Sequence, residues 1–162
     1  KMVIEINEQL TLSLTTENLD QESFVISQAL HTYFAVGNIE KTQVRGLSNH
    51  HYLDKVENFR EKLQAGEIVF NGETDRVYLN SPDKLFIEDS DWARRIVVES
   101  SGSNTTIVWN PWDRVATLKD MTDDSYQYFV CVETANAANN SISLAPGESH
   151  TISAGYRIMP LG

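Results

Sequence analysis

Tyr126-Gln127-Tyr128-Phe129-Val130-Cys131-Val132-Glu133-Thr134-Ala135-Asn136 is the stretch on which the reading of this chain turns. Aromatic and β-branched residues fill it, with no Gly or Pro, and that composition predicts a strand. Side chains alternate faces along a strand. Tyr126, Tyr128, Val130 and Val132 therefore share one face, and Gln127, Phe129, Cys131 and Glu133 the other. A carboxylate that closes an apolar run has two readings. It is either a strand end emerging into water, or a partly buried carboxyl whose proton affinity is raised by desolvation.

Outward from this stretch, Phe24 to Phe34 gives a second long strand pattern. Phe24, Ile26, Leu30 and Phe34 fall on a core-like face, and Val25, Ser27, Ala29, His31 and Tyr33 on the other. Small residues beside a histidine leave room for a ligand, although a lone strand histidine is also an ordinary structural residue. Met2–Ile6 and Gln9–Thr16 alternate as a hairpin, with Leu10, Leu12 and Leu14 inward. Short strands are expected at 42–47, 67–70, 76–79, 84–88, 94–99 and 105–109, and a closing one at 149–159. Asn71-Gly72, Ser81-Pro82, Ser101-Gly102, Asn110-Pro111 and Pro146-Gly147 punctuate them. The segment 54–64 reads as a solvated connection with a helical turn, and 113–119 as a short helix. Closely spaced strands with almost no helix predict an all-β, antiparallel β-sandwich in a single domain, 1–162.

Composition narrows the function classes. The formal charge of −10 over 162 residues disfavours nucleic acid and anionic lipid as partners. A phosphorylated ligand would need a local basic pocket against that field. No apolar run is long enough to span a membrane as a helix. The single cysteine permits no internal disulfide and accords with a cytoplasmic setting. His50 and His51 are adjacent, so on a strand they point apart and make a poor metal pair; no metal site is expected.

Five segments together carry a resemblance: Ala29-Leu30-His31-Thr32-Tyr33-Phe34, Gly72-Glu73-Thr74-Asp75-Arg76-Val77-Tyr78, Val108-Trp109-Asn110-Pro111-Trp112, Cys131-Val132-Glu133-Thr134-Ala135-Asn136 and Leu144-Ala145-Pro146-Gly147-Glu148. In this order the chain closely resembles the D-hexose-6-phosphate mutarotases (glucose-6-phosphate 1-epimerases) of the aldose 1-epimerase, galactose mutarotase-like superfamily. The resemblance implies a galactose mutarotase-like sandwich and an isomerase interconverting α and β anomers of a hexose 6-phosphate, with no cofactor. It implies Glu133 as the base that takes the C1 hydroxyl proton and His31 as the acid that protonates the ring oxygen. Asp75 matches an aspartate that accepts hydrogen bonds from sugar hydroxyls, and Trp109 offers a platform for a sugar face. Arg76, Arg94 and Arg95 are candidates for phosphate contact by their planar donors. Family members are considerably longer, and their phosphate-binding arginines come mainly from the N-terminal half. The expectation is therefore a C-terminal portion that lacks its N-terminal strands, with open edges covered by that segment or by another chain.

Two alternatives stay open on the residues themselves. Asp75 and Glu133 are a candidate carboxylate pair for a glycoside hydrolase. A carbohydrate-binding sandwich without turnover is the non-enzymatic reading.

Overall fold

The computed structural model describes residues 1–162 and is built almost entirely of antiparallel strands. Sheet A runs from edge to edge as β1 (Met2–Ile6), β2 (Leu10–Glu17), β16 (Ser149–Pro160), β12 (Arg94–Ser101), β11 (Lys84–Asp89), β6 (Thr42–Arg45) and β9 (Ile68–Val69). Sheet B runs as β4 (Gln28–Leu30), β14 (Phe129–Asn136), β13 (Thr105–Asn110), β10 (Thr74–Leu79), β7 (His51–Asp54) and β8 (Arg60–Leu63), with β5 (Tyr33–Ala35) also pairing β14. A two-stranded ribbon of β3 (Phe24–Ile26) and β15 (Ile142–Leu144) completes the set.

The core lies between the sheets. Val44, Leu85, Ile87, Ile96, Val98, Ile152 and Ala154 face it from sheet A, and Leu30, Phe34, Tyr78, Val108, Val130 and Val132 from sheet B. These are alternate residues of their strands, which is how a two-layer sandwich buries one face of each sheet. The other face of sheet B is consequently free to carry polar groups, and Glu133 lies on it, two residues along β14 from Cys131.

Several expectations are corrected. Tyr126, Gln127 and Tyr128 belong to a 3₁₀ turn, Ser125–Tyr128, and not to the strand. Asn110 holds that turn in place: its Nδ2 donates to the carbonyls of Tyr126 and Phe129, at 2.8 and 2.9 Å. The stretch from Phe24 to Phe34 is three short strands, because β3 leaves sheet B to pair with β15 while β4 and β5 both pair with β14. Phe24 is accordingly exposed and not in the core. The 54–64 connection is a hairpin between β7 and β8, closed by Asn58 and Phe59 at positive φ. Residues Trp112–Thr117 form a 3₁₀ helix in place of the expected short helix.

Sheet A extends past sheet B. On β1, Met2, Ile4 and Ile6 stand opposite Leu14, Leu12 and Leu10 of β2, and none of the three isoleucine or methionine side chains is covered. Ile158 on β16 is exposed, and Leu10, expected inward, is partly so. A groove of about 590 Å³ opens there, with Ile6, Leu10, Tyr33, Arg94, Tyr156 and Ile158 among its lining.

Candidate active site

The outer face of sheet B brings four of the seven candidate residues together, His31, Asp75, Trp109 and Glu133. Asp75 of β10 stands opposite Trp109 of β13, Trp109 opposite Cys131 of β14, and Cys131 opposite Tyr33 of β5. This single cross-strand row spans four strands. Glu133 lies next to it on β14.

His31 falls in the gap between β4 and β5. Leu30 pairs with Thr134 and Tyr33 with Cys131, the same register on either side of the gap, so His31 sits opposite Glu133. At the gap the ladder is interrupted, and the Thr32 N–H donates back to the Leu30 carbonyl at 2.9 Å. His31 Nε2 lies 3.3 Å from Glu133 Oε1. The Glu133 side chain is 4% exposed and that of His31 47%.

Burial pushes the Glu133 carboxyl up to about 7, with the Asp75 charge acting in the same direction and Lys55 opposing both. Partial burial lowers the His31 imidazole below its ordinary value. The carboxyl is raised and the imidazole lowered, each away from its ordinary value. A carboxylate of raised proton affinity is a stronger base than a free one, and beside an imidazole it lets one member take a proton while the other gives one.

Aromatic rings fix the histidine. Tyr33 stacks on His31 with centroids 4.8 Å apart and planes 10° from parallel. Trp109 meets the His31 ring edge-on at 5.7 Å. Trp109 and Tyr33 are themselves nearly perpendicular, so they form an apolar corner beside the acid–base pair. Asp75 Oδ2 is bound to Lys55 Nζ at 2.8 Å, whereas its Oδ1 is buried without a hydrogen-bond partner. A buried acceptor without a donor is costly, and a ligand hydroxyl would satisfy it.

The arginines are not part of this cluster. Arg76 projects to the side opposite Asp75, where it donates to Gln64 Oε1 at 3.0 Å and lies over the Tyr52 ring. Adjacent strand residues face opposite ways, which is the physical reason. Arg94 stacks on Trp92 and pairs with the buried Asp89. Arg95 pairs with Glu88 on sheet A. His50 and His51 have separate partners: His50 Nδ1 is 3.2 Å from the Ser48 carbonyl, and His51 Nδ1 2.8 Å from Glu61.

Lys55, in the segment expected to be a solvated connection, instead reaches the cluster, its Nζ 2.8 Å from Asp75 Oδ2. Alternation carried two residues beyond Leu53, which stands opposite Val77, would have placed it beside Asp75.

A model of the aldose 1-epimerase family matches residues 1–157. A Cenchrus ciliaris protein provisionally named glucose-6-phosphate 1-epimerase is 40% identical over 86% of this chain and 43% of its own length. An Escherichia coli K12 protein with the same provisional name is 42% identical over 76% of this chain and 43% of its own. Among solved structures, a Salmonella typhimurium protein provisionally named a mutarotase superposes with a TM-score of 0.89 at 28% identity. That match covers 98% of this chain and 52% of the other. The chain thus spans about half the length of the relatives it matches.

Proposed function

The chain belongs to the aldose 1-epimerase family, and from this we propose that it carries the acid–base half of a hexose-6-phosphate mutarotase site. The observation that supports the reading most is the pair His31 and Glu133, 3.3 Å apart on adjoining strands. Glu133 takes the proton from the C1 hydroxyl. His31, protonated, gives its proton to the ring oxygen. The C1–O5 bond breaks, the aldehyde turns about C1–C2, and the reverse transfers close the ring on its other face. No electrons leave the sugar, so the reaction needs no oxidant or reductant. The Tyr33–Trp109 corner seats an apolar sugar face, and Asp75 Oδ1 accepts from a sugar hydroxyl.

The hydrolase reading is weaker. It asks Asp75 and Glu133 to serve as an acid and a second carboxylate, yet Asp75 Oδ2 is already engaged by Lys55 at 2.8 Å. His31 would then have no role, although its ring is the group that touches Glu133.

Phosphate recognition is proposed to come from outside these residues, since Arg76, Arg94 and Arg95 are all engaged elsewhere. We also propose that the uncovered apolar strands of sheet A pack in use against further β-structure. The relatives' greater length and the exposed Ile4 and Ile6 favour this. The functional test is two-dimensional exchange NMR on glucose 6-phosphate. Cross-peaks between α and β anomers that grow faster with protein than without it are the expected result. Binding of the sugar phosphate with no acceleration would instead favour a non-catalytic carbohydrate module.

A further inference from the structure

We propose that His31, Cys131 and Glu133 form a three-ligand site for a thiophilic divalent cation of the zinc class, and that the bound ion occupies and blocks the acid–base pair. The inhibitory consequence rests on the mutarotase reading above; the binding itself does not.

The geometry supplies the site. Cys131 and Glu133 are two apart on β14 and share a face, and His31 stands opposite Glu133 across the ladder gap. One potential ligand atom from each residue lies within 4.8 Å of the others. Zinc holds nitrogen, sulfur and oxygen ligands at about 2.0–2.3 Å in tetrahedral array, which sets ligand atoms roughly 3.3–3.8 Å apart. The His31–Glu133 separation of 3.3 Å already meets that spacing. The remaining separations are at most 4.8 Å, about 1 Å beyond that spacing.

The chemistry of the donors selects the ion. One thiol, one imidazole and one carboxylate form a mixed soft and borderline set, favouring zinc, cobalt or cadmium over calcium or magnesium. The Glu133 side chain is nearly fully buried, and the His31 ring is the one basic group within ion-pair distance of it. A dication offsets a buried carboxylate more completely than a neutral imidazole does. The nearby Asp75 has one oxygen, Oδ2, held by Lys55 at 2.8 Å. As the sulfur–metal bond forms, the thiol proton is released to buffer. Cys131 is fully buried and the His31 side chain is half-exposed, so an ion would reach the thiol from the His31 side. The fourth position stays open to water.

The test uses the 162-residue chain, reduced and free of metal, titrated with Co²⁺. A bound thiolate produces a sulfur-to-cobalt charge-transfer band. The expected result is one Co²⁺ per chain, with that band, displaced by Zn²⁺. The band should vanish in Cys131→Ser. Affinity should fall at least roughly tenfold in His31→Ala, as loss of a direct ligand demands. The His31 variant guards against misfolding of the Cys131 variant, because the His31 ring is largely outside the core. No band in the parent chain, or a band of unchanged affinity in His31→Ala, would overturn the proposal. Zn²⁺ should also abolish anomerisation, with recovery on chelation. A metal-free chain that binds Co²⁺ but never anomerises the sugar would count against the mutarotase reading and leave the metal site standing.

Discussion

At the scale of single residues, the site depends on where one proton resides. Glu133 titrates near 7 in the folded chain against an ordinary value of 4.5. Below that pH it is protonated and cannot accept the C1 proton, so the rate should fall as pH drops through about 7. Glu133→Gln keeps the shape and removes the base, so anomerisation should drop by on the order of 10²-fold or more while sugar binding survives. Stability follows with a definite sign. A raised carboxyl pKa means that the folded state holds a proton more tightly than the unfolded one. That contribution is complete below the unfolded value and is lost as pH rises through 7. Glu133→Gln lacks this loss, so above pH 7 it should exceed the parent by on the order of 3 kcal/mol, and in acid the gap should close. Urea midpoints at two pH values check it. Glu133 and His31 were legible in the sequence because polar groups on strand faces stand out against an apolar alternation. Lys55 was not, because its neighbours on both sides are charged and its segment carries no strand composition.

At the scale of elements, strand positions were read better than strand partners. Most of the strands expected after residue 60 lie where alternation put them, since a two-residue period is written locally. Which strand each one pairs with is not. The run from Phe24 to Phe34 has one unbroken pattern yet serves three pairings. The crossover from β12 in sheet A to β13 in sheet B offers a sharper test. Gly102 turns that corner at φ +70°, and a Cβ there would sit 2.1 Å from the Thr151 carbonyl oxygen of β16. The Gly102 carbonyl also accepts from Asn136 Nδ2 at 2.9 Å. A non-glycine residue in this backbone region costs about 1–2 kcal/mol before any clash. Gly102→Ala should therefore lose more than about 2 kcal/mol, since backbone lies in the way and cannot rotate aside. A urea midpoint within error of the parent would show that the corner can relax.

At the scale of the whole molecule, the two sheets are unequal partners. Met2, Ile4 and Ile6 are 49%, 60% and 82% exposed, in a row that continues the inner face of sheet A. Apolar rows of this kind on a sheet edge invite pairing with another chain. The isolated chain should bind a hydrophobic dye and self-associate with concentration. Ile4→Lys with Ile6→Lys should shift it towards monomer in light scattering. A parent chain that is monomeric and silent towards the dye would remove the proposal that more β-structure covers this face. The interrupted ladder beside β14 has a different kind of consequence, one about what lengths the chain can tolerate. His31 and Glu133 meet because two strands run past each other in fixed register, and everything between them leaves that strand pair and returns to it. Insertions and deletions in the intervening hairpins and turns keep the two groups face to face. Loss of a single residue inside β4 or β14 would turn one of them to the other side of the sheet. The site is therefore indifferent to the size of the protein built around it and intolerant of an error of one residue in counting.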